Sequence, residues 1–410
     1  MTRPLRIERL ADLGQLVSTA IVFLTYHFIF ALFHQYDWGQ PFVKLACFET
    51  LFLVVAVLPL QRRRSIQPDA PVVVSLEMIA ACAVLAWELV RAYQLFRTGL
   101  HTGMNDIGGT TDQAARLVFV QHLNPYRQPI AAIGNDPAYF GYKYGPTMIL
   151  AYALAGLFPE GPGVKIMNAV YLAIIAGTVA YLASRPDEKG GPSSRGSARA
   201  AGLLACAMVL LPERLYHETF NQGAPDVFPS MLVLLSVAFV SRKRWLLAGL
   251  FAGLSFSVKF APGVFLVVLF FRRRVPLRLV VGLALGLLPF VPFLLWDGPA
   301  LVRNVFLFHG FKSYDSTSLY SVTPVELHRF FSLFQAAAVA VAVALNFRRA
   351  IEPRTLLVTF TLLLICIEIS YREMHGNHLV WFMGPLSVCF AWGRHGLPGL
   401  LAATRRYRGA

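Results

Sequence analysis

The chain is a succession of apolar runs, each close to the length a helix needs to cross a bilayer: 12–34, 42–60, 71–96, 163–184, 198–212, 227–241, 277–296, 328–346, 354–370 and 378–393. A spanning helix takes about 20 apolar residues, roughly 17–25. Two further stretches are less regular. Residues 245–271 read as two short helices or one long hairpin, interrupted at Lys259-Phe260-Ala261-Pro262, and residues 144–158 are too few to cross comfortably. Only 14% of residues are charged and 56% are hydrophobic, whereas about a quarter of a soluble domain is charged. The expected fold class is therefore an all-α polytopic membrane protein. The first run, Leu13 to Phe33, is too long for a signal-peptide core and lacks a small-residue cleavage pattern, so it is expected to stay as a helix.

The net charge of +15 does not form a nucleic-acid stripe, and no nucleic-acid partner is expected. The basic residues sit in short runs between apolar segments: Arg62-Arg63-Arg64, Arg242-Lys243-Arg244, Arg272-Arg273-Arg274, Arg348-Arg349 and Arg405-Arg406. That is the positive-inside pattern, and contact with acidic lipid headgroups follows from it. With Arg3, Arg6 and Arg9 in the cytoplasm, every basic cluster falls inside if 144–158 only dips into the membrane. Partial elements of that kind are tolerated where they line a cavity. The polar segments 97–143, 213–226, 297–327 and 371–377 then face outward together, and the charged, Gly/Ser/Pro-rich linker 184–200 is a cytoplasmic loop. The organisation expected is two N-terminal membrane helices (1–70), a membrane core (71–393) and a basic cytoplasmic tail (394–410). The five cysteines, Cys47, Cys82, Cys206, Cys366 and Cys389, lie in apolar runs without metal-ligand spacing. They are expected to be small buried residues.

The longest polar interval between apolar runs is His101 to Pro146. Long loops of this kind are usually functional. It carries Asp106, Asp112 and Asp136, and an Asn124-Pro125-Tyr126 turn. A carboxylate at the membrane surface can act as general base on a sugar hydroxyl. Asp106 precedes Gly108-Gly109, read as a turn, and is assigned to catalysis. Asp112 is either catalytic or the cap of an interfacial helix over 110–122. A second group, His217, Glu218, Asn221, Gln222 and Asp226, suits a polyhydroxylated ligand. A third is Lys259, a lysine within an apolar stretch, which is costly and marks a functional site whose natural partner is an anion such as phosphate. A fourth, Tyr371 to His378, holds His375 and His378, fitted to phosphate or sugar contact rather than metal. Glu77, Glu88 and Glu368 are read as packing or pairing features, with Glu88 and Arg91 spaced to pair. A transporter or flippase is the rival class. Transporters often carry paired broken helices in two halves, and only one broken helix, near Pro262, is visible.

Several short motifs, in order, resemble the integral-membrane glycosyltransferases of the GT-C superfamily, and most closely glycosyltransferase family 87. They are Asp106, Ala114-Ala115-Arg116, Asn124-Pro125-Tyr126, Tyr144-Gly145-Pro146, Asn221-Gln222-Gly223, Leu247-Ala248-Gly249, Lys259-Phe260-Ala261-Pro262, and His378 with Trp381 and Pro385. Asp112 also fits the place of the family aspartate. The resemblance implies a GT-C type bundle of about 12–13 membrane segments with interfacial helices in the first large outer loop. It implies transfer, with inversion, of a hexose such as mannose from a polyprenyl-phosphate donor to a lipid or glycan acceptor on the extracytoplasmic face of the cell membrane. Asp106 or Asp112 would be the base. Lys259, Arg97, His378 and His375 would hold the donor phosphate. Asn124, Tyr126, Tyr144, His217, Glu218, Asn221 and Gln222 would contact sugar or acceptor. No cofactor or metal is expected, since the lipid-linked sugar phosphate is a substrate. The oligomeric state is left open.

Overall fold

The computed structural model describes residues 71–128, 130, 141–158, 161–185, 195–210, 212–307, 323–371, 378, 380–389 and 391–392. The two expected N-terminal helices, Asp136, His375, most of the linker 184–200 and the basic tail lie outside these residues. Among the described residues all regular structure is helical. Helix α1 spans Pro71–Gly99, α2 Asp106–Phe119, and α3 only Pro146–Ala151, followed by a 3-10 turn, Ala153–Leu157. Helix α4 is Pro162–Ala183, α5 Arg195–Leu210, and α6 Glu213–Tyr216, which continues as a π-helical turn, His217–Asn221. Then come α7 Val227–Ser241, α8 Trp245–Phe256, α9 Phe260–Phe270, α10 Leu277–Leu287 and α11 Phe290–Leu301, the last running into a second π turn, Val302–Leu307. Helices α12 His328–Asn346, α13 Pro353–Ile369 and α14 Val380–Cys389 complete the order.

Among the described residues three helical segments are long and apolar enough to cross a membrane: Pro162–Ala183, Phe290–Leu307 and Val325–Asn346. In the segment 144–158, six α-helical residues at 1.5 Å and five 3-10 residues at 2.0 Å cover about 19 Å, against a hydrocarbon core about 30 Å thick.

Two expectations are corrected. The run 277–296 is not one helix. Pro289 has no N–H, so the ladder breaks there, and shorter bonds replace it: Leu288 N donates to Leu285 O (3.2 Å) and Val291 N to Leu288 O (2.9 Å). The helix kinks again just beyond, at Asp297 (φ −162°, ψ 84°), whose Oδ1 accepts from Ala300 N at 3.0 Å. Gly108-Gly109 is not a turn either. Both lie inside α2, which starts at Asp106 because Asn105 caps it, its side chain accepting from Gly108 N at 2.7 Å. Gly108 is there for closeness. A Cβ at that position would stand 2.8 Å from the carbonyl oxygens of Gln222 and Gly223.

The chain forms two compact units, one of residues 1–91, 176–213 and 383–410 and the other of 92–175 and 214–382. In the first, α5 approaches α4 at Gly202, where a Cβ would lie 2.7 Å from Ala180 O. Trp392 Nε1 donates to Leu182 O (3.1 Å), and Glu88 pairs with Arg91 (3.3 Å) as their spacing predicts.

The second unit carries the candidate site. Its centre is the close pair α8 and α10. Cβ atoms at Gly249 and Gly282 would each stand 2.0 Å from a carbonyl of the other helix, Leu279 O and Leu246 O. Small residues at such crossings let membrane helices pack backbone to backbone. Ser236 Oγ of α7 donates to Ala248 O of α8 (2.7 Å), and Phe265 of α9 meets Phe360 of α13 edge to face (5.5 Å). Arg272 donates to Arg349 O (3.2 Å) and Ala350 O (2.7 Å), and Arg273 N to Phe347 O (2.8 Å). The basic turns after α9 and α12 therefore meet at one end of this unit. The opposite ends of α7, α8, α9 and α13 carry Asp226, Ser257, Lys259 and Glu368.

Candidate functional site

At that opposite end the chain runs out of helix between α8 and α9. Lys259 caps α9 in extended conformation (φ −147°, ψ 151°), with Pro262 in the first turn, where its missing N–H costs nothing. The loop is held by the segment before α3: Gly145 N donates to Val258 O (2.9 Å), Thr147 N to Ser257 O (3.3 Å), and the Thr147 and Ser257 hydroxyls bond each other. Gly145 is required there, since a Cβ would stand 2.0 Å from Ser257 O. This pairing sets the Tyr144 ring against Lys259, 4.7 Å from Nζ to centroid.

Lys259 Nζ donates to Asp226 Oδ1 at 2.6 Å, and both side chains are largely buried. The Trp381 ring lies 5.3 Å from the same ammonium. Trp381 in turn stacks on His378, centroids 4.0 Å apart and 15° from parallel. His378 Nδ1 is 2.8 Å from Glu368 Oε2. A carboxylate opposite favours the tautomer with its proton on Nδ1. Two cation-forming groups, two buried carboxylates and two aromatic rings are thus linked in one row. An ammonium has three N–H donors, and only one is used on Asp226.

Lys143 connects this row to the long polar loop. Its ammonium is 5.6 Å from the Tyr144 ring and 3.7 Å from Asp106 Oδ2. The two aspartates of α2 then separate clearly. The Asp106 side chain is 46% exposed, while that of Asp112 is 4% exposed and held by Arg116 Nε at 3.0 Å. Arg116 also donates to Phe158 O (2.7 Å), so Asp112 and Arg116 fasten α2 to the turn after α3. Asp112 lies mid-helix and caps nothing.

The Asn124-Pro125-Tyr126 motif is internal support. Asn124 Oδ1 accepts from Tyr126 N (2.9 Å), Tyr126 OH donates to Tyr144 O (2.9 Å), and Asn304 Nδ2, from the second π turn, donates to Tyr126 O (2.7 Å). Tyr126 and Asn124 are buried, and here they hold Tyr144 in place. Burial keeps the Tyr126 and Tyr142 hydroxyls well above the ordinary tyrosine range. At Tyr142 the Asp226 charge adds to the effect and the hydrogen bond with Thr111 opposes it. Both phenols stay neutral hydrogen-bonding groups.

The His217–Gln222 group meets the loop before α2. Asn105 N donates to Gln222 O (2.8 Å) and Asn105 Nδ2 to Gln222 Oε1 (3.3 Å), while Thr102 Oγ1 donates to Asn221 O (2.6 Å). His217 Nδ1 is 3.5 Å from Gln222 Nε2, and Glu218 is buried. π turns recur at functional positions, and this one brings the loop against the start of α2. Arg97 is exposed in the last turn of α1 and makes no hydrogen bond or ion pair among the described residues.

Sequence reasoning passed over Lys143, Lys165 and Asn168. Lys165 and Asn168 are fully buried. Lys165 stands in an apolar run, the same signal that picked out Lys259, but close enough to a helix start to pass as a snorkelling residue. Among the described residues no group of three or more His, Cys, Asp or Glu comes together as a metal set would require.

The model of glycosyltransferase family 87 matches residues 142–370, more than half of the chain. Tyr144, Lys165, Asp226, Lys259 and Glu368 fall inside the match; Asp106 precedes it and His378 follows it. Among solved structures, the crystal structure of ArnT from Cupriavidus metallidurans in the apo state resembles the chain with TM-score 0.50 at 14% identity. The likeness covers 77% of this chain and 60% of that one, so the chain spans well under two thirds of the other protein's length. At that identity the shared property is the fold, an all-α polytopic bundle of GT-C type. No curated protein sequence matches the chain.

Proposed function

The chain belongs to glycosyltransferase family 87 and is a membrane glycosyltransferase, and from that premise we propose that it moves a hexose, mannose in the first instance, from a polyprenyl-phosphate donor to a lipid or glycan acceptor. The reaction takes place at the extracytoplasmic face of a multi-pass protein in the cell membrane. Asp106 is the general base. It takes the proton of the acceptor hydroxyl as that oxygen attacks the anomeric carbon. The bond from that carbon to the phosphate oxygen breaks, and its electron pair leaves on the lipid phosphate. The attack comes from the face opposite the leaving group, so the configuration inverts. A phosphate leaving group needs no proton, and one carboxylate suffices, unlike the paired carboxylates of glycoside hydrolysis. Lys259 and His378 meet the charge that develops on the phosphate. Tyr144 packs beside the ammonium, and the groups of the His217–Gln222 turn face the sugar or acceptor.

The observation that carries this reading is the continuity of the site. Lys143 stands beside both Asp106 and Tyr144, and Tyr144 beside Lys259, so a chain of contacts joins the exposed Asp106 to the Lys259 ammonium. Exposure of the Asp106 carboxylate, against burial of that of Asp112 on Arg116, supports giving the base role to Asp106.

The test is transfer from radiolabelled polyprenyl-phosphate mannose to membrane lipids and glycans, with wild type, Asp106→Asn, Asp112→Asn and Lys259→Met compared per folded molecule. Asp106→Asn is expected to lose at least about 100-fold, the usual weight of a general base. Asp112→Asn is expected to retain transfer. Use of a different lipid-linked sugar by wild type would overturn mannose alone. No transfer from any lipid-linked donor would overturn the donor class.

A further inference from the structure

We propose that Lys165 is a positioning residue for Asp106. Its ammonium ties the chain reversal between α1 and α2 to the start of α4 and so sets where the base stands. The inference rests on Asp106 being the base. Lys165 is 0% exposed. Nζ donates to Gly99 O (2.7 Å), Thr102 O (2.7 Å), Thr102 Oγ1 (3.0 Å) and Gly103 O (3.3 Å). Every one of these acceptors is uncharged, and no ion pair is made among the described residues. A buried charge without a counter-charge is costly, and a methionine would fill the same channel without that cost. The charge is retained for what it grips.

It grips the end of α1. The last carbonyls of a helix carry partial negative charge, which an ammonium meets without a carboxylate, and Gly99 O takes Lys165 Nζ beside the Thr102 N–H (3.1 Å). The next two acceptors, Thr102 and Gly103, belong to the turn that leads directly into Asn105 and Asp106. From its other side that turn is held by Asn221 and Gln222. Asn168 stands one turn along the same face of α4 as Lys165, since i and i+3 are neighbours. Its Nδ2 donates to Thr219 O (3.0 Å) and Ala224 O (3.1 Å), fixing the loop that supplies Asn221 and Gln222. Two adjacent side chains of α4 therefore hold both halves of the seat of Asp106. Asn105 completes it by capping α2. Without Lys165, Asp106 keeps its own side chain and its exposure but loses the fixed backbone beneath it.

The experiment compares wild type, Lys165→Met, Lys165→Arg and the core variant Leu363→Ala in detergent, scoring kcat and donor KM per folded molecule and hydrogen exchange of residues 99–106. Misplacing a catalytic group by about 1 Å costs on the order of 100-fold. Lys165→Met is therefore expected to lower kcat about 10- to 100-fold with donor KM nearly unchanged. It should speed exchange across 99–106 while α13 stays protected. Lys165→Arg, which keeps charge and donors, is expected to recover part of kcat. Leu363→Ala lowers thermal stability but leaves kcat per folded molecule intact. Unchanged exchange in 99–106, or a Lys165→Met kcat equal to wild type per folded molecule, overturns the proposal. So does a loss of activity that only tracks lost stability, as in the Leu363→Ala control. Asp106→Asn, run in parallel, separates the premise: transfer retained there ends the base assignment, whatever Lys165→Met does.

Discussion

Burying a carboxylate requires a partner, and Asp112 has one in Arg116 at 3.0 Å. Removing one member of a buried pair leaves the other charge uncompensated. Because Arg116 keeps its bond to Phe158 O, the cost of Asp112→Asn is expected at about 1–3 kcal/mol, below the full figure for a deeply buried pair. It would be read as a lower thermal midpoint with kcat per folded molecule unchanged. Asp226→Asn is the harsher case. Lys259 is nearly enclosed and is bonded to that carboxylate at 2.6 Å. A loss of about 3–5 kcal/mol is expected, along with most transfer activity. A double-mutant cycle of Asp226→Asn with Lys259→Met should recover part of that loss, because the orphaned ammonium is gone. A cycle with no coupling would mean that the pair is not formed in the membrane.

At the scale of elements, glycine decides more than apolar length does. The crossing of α8 and α10 leaves no room for a side chain at Gly282, where a Cβ would sit 2.0 Å from Leu246 O. Gly282→Val is expected to destabilise by about 1–3 kcal/mol through overpacking, measured as a lower midpoint in detergent. Gly145→Ala should act differently. It pushes the segment before α3 away from Ser257, separates Tyr144 from Lys259 and lowers activity more than stability. These contacts explain what the sequence could and could not disclose. Helices such as α7, α12 and α13 were legible because apolar runs of that length have few other folds in a membrane. Lys259 stands out in the sequence because it is a charge in an apolar stretch, and Asp106 because it lies in the longest polar interval. The break at Pro289 was missed, because the run 277–296 is apolar on both sides of it. The Gly108-Gly109 pair was misread, because a glycine needed for close approach looks the same in sequence as one needed for a turn. The scaffolding role of Asn124 and Tyr126 depends on Asn304 and Tyr144, and Lys165 on carbonyls more than 60 positions away. No local pattern carries such pairings.

At the scale of the second unit, charge and site lie at opposite ends. Arg242, Lys243 and Arg244 follow α7, Arg272 to Arg274 follow α9, and Arg348 and Arg349 follow α12, with Arg272 bonded to Ala350 O. Asp226 and Lys259 lie at the other ends of α7 and α9, and Glu368 in the last turn of α13, which begins after the α12 turn. A helix of 12 to 15 residues, such as α8 or α7, sets the ends about 20 Å apart. A bilayer reads that asymmetry as orientation, since arginine and lysine in short loops stay on the cytoplasmic side. On the proposed orientation the site opens to the extracytoplasmic face. In a chain whose five cysteines are replaced, Lys243→Cys and Arg349→Cys are expected to react with an impermeant thiol reagent only after the cells are opened. His101→Cys, in the exposed turn before Asp106, is expected to react in intact cells. If His101→Cys reacted only after opening, the site would face the cytoplasm. The acceptor and the lipid-linked donor would then have to be sought on that side.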